Sequence, residues 1–318
     1  MMTSVPLAIP AVRLSDGERE LSCSTSKLIG AIVRRMSVDS RFASKLDSVD
    51  DAPGALRNAL TDNFQSQDSI RLLIHAPAFS TMNEAWPATI LGVTNDRWVV
   101  VSETENGLSV EKCNFRETLF LELTSILLSG QLKIYFAAVG TSCSITMGFD
   151  TVGKELYREA IDLMLQEIDP KHVPAAENDR GNDLISKDWP MPFRAEARRY
   201  RPKGQRLLAA TQWRAVIGGF QRELSPAGAL LVTERDLVLI SEEKTSPRAH
   251  IGDVHNFGGI ITYIPVVRLA DFRVSHHEQF GVLALQVHAT HGGETLEIIL
   301  PSDHEKAVSE AIEKVVKV

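Results

Sequence analysis

The sequence has only three cysteines among its 318 residues, Cys23, Cys113 and Cys143, and none of them lies in a CxxC spacing. An odd number of widely separated thiols does not suit a disulfide framework and fits a reducing compartment. The chain also lacks the run of about 20 apolar residues that a membrane span needs. Its start lacks the basic residues and sustained apolar run of a signal peptide. We therefore expect a cytoplasmic protein.

Catalytic motifs are also missing, because the sequence contains no GxSxG, P-loop, GxGxxG or HExxH pattern. A metal site needs three or four converging ligands, and the adjacent His276 and His277 would point to opposite faces of a strand. Cys113 and Cys143 lie in strand-like runs and fit small buried apolar residues. We expect no enzymatic activity and no catalytic, cofactor-binding or metal-binding residues.

The formal net charge is −7, which disfavours a general nucleic-acid binder. The only region of net positive charge is the polar, proline-rich segment 170–205, which we interpret as a linker. Its basic run forms the candidate interaction surface and consists of Arg194, Arg198, Arg199, Arg201, Lys203 and Arg206. The run could contact anionic lipid, nucleic-acid phosphate, solvent alone, or acidic residues of the same chain such as Glu155, Glu159 or Asp162.

A near-repeat indicates two related halves. "VTNDRWVVVSE", from Val93 to Glu103, recurs 139 residues later as "VTERDLVLISE", from Val232 to Glu242. Both copies lie within series of short β-branched and apolar segments separated by turn residues, which are typical of antiparallel strands. Each series ends in an amphipathic helix, and a length of 318 residues also favours two domains.

The domain plan follows from these patterns. Residues 1–69 form an N-terminal helical extension, with helix-like spacing over 26–36 and 50–64 and a hairpin turn at Asp16-Gly17. Residues 70–169 form a first β-rich domain, 170–205 the linker and 206–318 a second β-rich domain. The predicted apolar faces of the terminal helices are Val152, Leu156, Ala160, Leu163 and Ile168 in the first domain, and Val308, Ile312 and Val315 in the second.

An antiparallel meander followed by one amphipathic helix resembles the pleckstrin-homology-like superfold, and in particular its bacterial and GRAM-type members. The short strand signature of that family is similar to Val93–Trp98 and to Val232–Leu237. The resemblance implies an α+β, mainly β fold, with two bent antiparallel barrels each capped by its C-terminal helix. Val99 and Val238 would then take equivalent, inward-facing positions. The segment Ile74–Leu91 contains no Lys or Arg, so the resemblance does not extend to phosphoinositide recognition.

Three functions remain open at this point. The first is a non-enzymatic protein–protein interaction or scaffolding module, because open sheet edges can accept a partner by strand addition. In that case the partner is another protein, or the contact is one within the chain itself. The second is a peripheral membrane module that uses the basic run. The third is a barrel that binds a small ligand or acts as an enzyme, with its pocket between the domains.

Overall fold

The computed structural model describes residues 41–64, 69–80, 84–126, 128–170, 184–218, 223–242, 259–277 and 280–316. They all belong to one compact unit, Arg41–Val318. The predicted helix over 26–36 and the predicted hairpin at Asp16-Gly17 lie outside the described residues. In the described part of the chain, no helix is both long and apolar enough to cross a bilayer.

Strands dominate the structure, and every strand pair is antiparallel, which confirms a mainly β member of the α+β class. The first half contains β1 (Ser44–Lys45), α1 (Gly54–Asn63), β2 (Leu72–Ala76), β3 (Phe79–Ser80), β4 (Ala85–Trp86), β5 (Thr89–Val93), β6 (Arg97–Thr104), β7 (Gly107–Asn114), β8 (Thr118–Ile126), β9 (Ser129–Ala138), β10 (Thr141–Asp150) and α2 (Lys154–Ile168). The second half contains α3 (Met191–Tyr200), β11 (Leu207–Trp213), β12 (Val216–Ile217), β13 (Glu223–Ser225), β14 (Gly228–Thr233), β15 (Asp236–Glu242), β16 (Gly259–Pro265), β17 (Leu269–His276), β18 (Gly281–Ala289), β19 (Gly292–Leu300) and α4 (Glu305–Val316).

The same order of elements occurs in both halves. A ten-residue helix follows a proline, Pro53 before α1 and Pro190 before α3. Four main strands come next, and a 3-10 turn then leads into three more strands. These turns are Phe115–Glu117 and Val266–Arg268, which lie 151 residues apart. Each half closes with a second 3-10 turn and a terminal helix, α2 or α4.

The sheets do not divide at the boundary between the halves. One five-stranded sheet, the outer sheet, has the order β1-β2-β5-β6-β7. A seven-stranded sheet, the central sheet, has the order β10-β9-β8-β16-β15-β14-β11 and therefore contains strands of both halves. A three-stranded sheet holds β17-β18-β19. None of the sheets in the described residues closes into a barrel, and β8 and β16 join the two halves into one continuous sheet.

Three apolar cores separate these layers. The largest lies between the outer sheet and one face of the central sheet, where Leu121 of β8 and Val238 of β15 share it with α2 and α3. The second lies on the opposite face of the central sheet, against the three-stranded sheet and α4. The third lies between α1 and the far side of the outer sheet. The central sheet is thus covered on both faces, which explains why β14 and the first five residues of β15 are buried throughout.

The helix predictions were correct for α1 and α4. Leu56 and Leu60 of α1 are fully buried against the outer sheet, as their spacing indicated. Val308 and Ile312 of α4 are also fully buried, and Val315 is nearly so. Hydrophobic spacing along these two sequences identified the buried face, because each helix meets a single layer.

The predicted apolar face of α2 was correct for Ala160 and Ile168 but wrong for its other three residues. The residues buried on this helix are Tyr157, Ala160, Ile161, Met164, Leu165 and Ile168. Val152 precedes the helix and is 71% exposed, while Leu156 and Leu163 are half-buried. The helix contacts both the first half and α3, so it buries a wider face than a surface helix that meets one sheet, and Tyr157 stacks on Phe149 at 3.9 Å between ring centroids.

Val99 and Val238 lie at matching positions in β6 and β15, and both are fully buried as expected. Val99 packs in the core that contains α1, and Val238 packs in the core that contains α3. Their neighbours Trp98 and Leu237 occupy the opposite face of each strand, because side chains alternate along β-strands. The helix that precedes each set of strands therefore covers the valine side.

The corrected face of α2 leads to a stability prediction. Ile161→Ala removes a side chain that is 1% exposed and leaves a cavity, so we expect a loss of about 2–5 kcal/mol in the free energy of unfolding. Val152→Ala changes an exposed residue of the originally expected face and should alter the free energy of unfolding by less than about 0.5 kcal/mol. Urea unfolding of both variants measures the difference, and equal losses would contradict the assignment of the buried face.

Candidate functional site

The predicted basic run lies on and just after α3, which occupies part of the segment interpreted as a linker. The helix follows Pro190, and Phe193, Ala197 and Tyr200 form its buried face at helical spacing. It packs against β14 and β15 of the central sheet. The sequence contains the signal for this helix, a proline followed by apolar residues three to four positions apart, but the prolines and charges around it obscured the pattern.

Several cations of the basic run contact acidic residues within the chain. Arg199 Nη2 donates to Glu155 Oε1 at 2.6 Å, and Lys203 Nζ lies 3.5 Å from Asp162 Oδ2. Arg206 Nε lies 2.8 Å from Glu234 Oε1. The first two contacts join α3 and the loop after it to α2, and Glu155 and Asp162 are two of the carboxylates expected from the sequence.

The other cations of the run occupy different surroundings. Arg194 Nη1 donates to the Lys187 carbonyl at 3.0 Å, which fixes the chain that enters α3. Arg198 is exposed, and Arg201 is half-buried at the end of the helix. The six cations therefore do not form one continuous surface, because the turn of the helix directs them to different sides.

Tyr200 lies at the centre of the contact between α2 and α3. The side chains of Lys154, Arg158 and Arg199 approach its ring, at 4.9, 5.5 and 5.9 Å from the centroid. Burial and the nearby Glu196 carboxylate raise the pKa of the Tyr200 hydroxyl. Exposed ion pairs contribute about 0–1 kcal/mol each, so this polar contact orients the two helices more than it stabilises either of them.

A stronger link between the halves comes from Arg235, in the turn between β14 and β15. Its side chain is 6% exposed and its Nη2 donates to the Leu165 carbonyl at 3.2 Å, to the Gln166 carbonyl at 3.5 Å and to the Asp169 carbonyl. The last carbonyls of a helix have no intrahelical donor and carry the negative end of the helix dipole. A guanidinium of the second half thus caps the terminal helix of the first.

The same turn explains why the near-repeat keeps its threonine. Thr233 Oγ1 accepts the Asp236 N–H at 2.9 Å, and Thr94 Oγ1 accepts the Arg97 N–H at 3.1 Å. Both hydroxyls also lie within hydrogen-bonding distance of the carbonyl of the same residue three positions on. A buried threonine closes the tight turn between β5 and β6 and also the one between β14 and β15. Valine in its place would leave the backbone N–H without this acceptor.

Asp236 is buried beside this turn, where its carboxylate accepts a hydrogen bond from Gln205 Nε2. Burial raises the pKa of Asp236 to about 7, and the Gln205 hydrogen bond and Arg235 only partly oppose that effect. A surface pocket of about 340 Å³ lies next to it, and its lining includes Asp162, Lys203, Gln205 and Arg235. Three charged residues of this pocket, Asp162, Lys203 and Arg235, take part in contacts between the two halves.

The described residues include no group of three or more His, Cys, Asp or Glu side chains placed to hold a metal ion. Of the late histidines, His276 Nδ1 lies 2.9 Å from Glu305 Oε1, and His291 Nδ1 lies 3.0 Å from Glu117 Oε1. The second of these contacts joins the β18–β19 turn to the first half.

We predict that Arg235 contributes much more to stability than Arg206, although each lies close to an acidic side chain. Arg235→Met leaves the carbonyls at the end of α2 without their donor and should cost about 2–3 kcal/mol of unfolding free energy. Arg206→Met, which removes an exposed pair, should cost at most about 1 kcal/mol. Urea titration compares the two, and equal costs would show that the cap is energetically unimportant.

The raised pKa of Asp236 predicts that the stability of the fold depends on pH. Its folded pKa of about 7 exceeds the value of about 3.9 in an unfolded chain, so the folded state holds the proton more tightly. That stabilisation is complete below about pH 4 and is lost as pH rises through 7, at a cost on the order of 2–4 kcal/mol. Asp236→Asn should remove this decline between pH 4 and 8, whereas the exposed Asp62→Asn should leave it unchanged. Parallel pH profiles for wild type and Asp236→Asn would refute the assignment.

A comparison of the chain with models of known protein families found no match, and a comparison with curated proteins found none either.

Proposed function

We propose that this protein is a non-enzymatic protein–protein interaction or scaffolding module built from two pleckstrin-homology-like domains in tandem. The order of elements supports this proposal, since each half has four main strands, three further strands and a terminal helix. Helix α4 packs its apolar face into the core between the second set of four strands and the last three strands. Helices α1 and α3 extend this plan, because each covers the opposite face of the four strands that follow it.

The observation that carries the proposal is the pairing of β8 with β16. Five residue pairs, from Gly259↔Ser125 to Tyr263↔Leu121, join the edge of one half to the edge of the other. The edges of this fold can therefore accept a neighbouring domain by strand addition. The outer edges of β7 and β17 lie at the ends of their sheets and pair with no described strand, so they offer the same kind of contact to a partner.

The contacts of the basic run support a role within the chain. Arg199 and Lys203 face Glu155 and Asp162 of α2, and they help to set the angle between the helices. A peripheral membrane module would instead use these cations on lipid headgroups. The two functions differ in what the protein binds, and one pair of measurements on the full chain separates them.

We expect the full chain to select extended sequences from a random peptide library displayed on phage. Hydrogen exchange of the complexes should show new protection in β7 or β17, because an added strand hydrogen-bonds to a free edge. Vesicles of phosphatidylserine and phosphatidylcholine should not sediment the wild type, nor the fourfold variant in which Arg198, Arg199, Arg201 and Lys203 are replaced by Ser.

Two results would contradict the proposal. Failure to select any peptide that protects a strand edge would contradict the proposed interaction function. Sedimentation with acidic vesicles that falls steeply with salt and is lost in the fourfold variant would favour the membrane module, because each cation near an anionic surface contributes about 1 kcal/mol and is screened by salt.

A further inference from the structure

The pairing of β8 with β16, called the internal joint, brings together two strands that are not equivalent in the two halves. The first of the last three strands in the first half, β8, pairs with the last of the four main strands in the second half, β16. By the same count, the strand equivalent to β8 in the second half is β17, and the strand equivalent to β16 in the first half is β7. Among the described residues each of these strands lies at one end of its sheet, β7 opposite β1 in the outer sheet and β17 opposite β19 in the three-stranded sheet. A single chain therefore carries both strands needed for a second pairing of this kind, which the described residues do not form.

Local geometry supports the equivalence of β8 and β17. Each strand follows a 3-10 turn, Phe115–Glu117 or Val266–Arg268. Each contains an irregularity at its start, between Thr118 and Phe120 in β8 and between Leu269 and Asp271 in β17. Both features are separated by the same 151 residues, so the two strands bend at matching positions.

Transferring the internal register to the free edges brings complementary residues together. Glu122 lies opposite Thr262 in the internal joint. The equivalent residues at the free edges are Arg273 and Glu111, which carry opposite charges. Leu123↔Ile261 becomes Val274 opposite Val110, which are both partly buried apolar residues. Glu111 and Arg273 are exposed in the single chain. Cross-strand pairs of opposite charge and of apolar residues both stabilise antiparallel strands.

The backbone groups of β7 have the orientation that this register requires. Phe115 N–H donates to the Asp96 carbonyl, so the alternate residues Cys113 and Glu111 bond towards β6. Val110 and Lys112 therefore direct their N–H and C=O groups to the free side. In the internal joint the equivalent residues, Ile261 and Tyr263, likewise point to β8, because Val266 N–H donates to Arg235 O in the β15 ladder.

The free edge of β17 has a matching feature. The N–H of Phe272, which would donate across the joint to the Lys112 carbonyl, instead donates to Oδ1 of its neighbour Asp271 at 2.8 Å. Beside the end of β7 is an open recess of about 410 Å³, lined in part by Lys112, Cys113 and Asn114. At the β17 edge an incoming strand would replace the local contact to Asp271, and open space lies beside the end of β7.

The helices next to the two joints carry opposite patterns of charge. In the internal joint Arg199 of α3 contacts Glu155 of α2. The corresponding positions in α1 and α4 are Asp62 and Lys306, so the same contact would form with the signs reversed. Arg235 has no such counterpart, since the near-repeat places Asp96 at its position. A joint between copies lacks that cap and is weaker than the joint within one chain.

We propose that the protein assembles head to tail, with β17 of one copy added to β7 of a second copy in the register of the β8–β16 joint. This inference rests on the proposed interaction function and names its partner as a second copy of the chain. The two surfaces are different, so the contact is heterologous and each added copy leaves one free edge at each end. Association therefore rises with concentration and continues beyond a dimer, or closes into a ring.

A charge exchange tests the register in the full chain. In sedimentation velocity over a concentration series, the wild type should form larger species as concentration rises. Glu111→Arg and Arg273→Glu each place like charges opposite one another, and each should weaken association by about tenfold. The double variant restores an opposite pair and should associate like the wild type, as should an equimolar mixture of the two single variants. Glu105→Arg, an exposed change in the neighbouring turn, is the matched control and should behave as the wild type.

The outcomes separate this inference from the function on which it rests. A wild type that stays monomeric at every concentration overturns head-to-tail assembly, and so does association that neither single variant weakens. Loss in the single variants without recovery in the double variant also overturns the proposed register. If the monomer still binds selected peptides along β7 or β17, the interaction function stands without self-assembly. If it binds none, both proposals fail.

Discussion

The pairing of β8 with β16 is the contact on which the rest of the structure depends. It turns two sets of strands into one seven-stranded sheet, and each face of that sheet then needs its own cover. The outer sheet with α2 and α3 covers one face, and the three-stranded sheet with α4 covers the other. Because both faces of the sheet are covered, all of β14 and the first five residues of β15 are buried. An edge that would otherwise attract other chains is used inside the molecule.

The polar contacts next to this joint fix the relative direction of its helices. Arg235 supplies the donor for the carbonyls that end α2, and the cluster around Tyr200 sets how α3 lies against that helix. Burying a charged group without a partner is unfavourable, and the guanidinium groups of Arg235 and Arg199 each have an acceptor here. The buried Asp236 differs from these cations, because burial disfavours its charged form near neutral pH. The charged residues next to this joint take part in contacts between the two halves.

The sequence predicted some elements well and others poorly, for identifiable reasons. The apolar spacing of α1 and α4 identified their buried faces because each helix packs on a single layer. The spacing of α2 identified only Ala160 and Ile168 of its buried face, because both halves bury that helix and the face also includes Tyr157. Helix α3 was hidden among prolines and arginines, although Phe193, Ala197 and Tyr200 have helical spacing. The basic run could be found by its charge, and Glu155 and Asp162 were among its suggested partners, but the sequence did not show which cation meets which carboxylate.

What the sequence determined by itself is local. Alternation of apolar residues fixed the strands, the threonine of each near-repeat fixed a turn, and one-sided apolar spacing fixed the simplest helices. Only the tertiary structure decided which edges pair, which face of each sheet receives α1 or α3, and that Arg235 reaches the end of α2. These choices depend on contacts between residues far apart in the chain. A strand has the same pattern of side chains whether its edge is paired or free, so no local pattern encodes its neighbour.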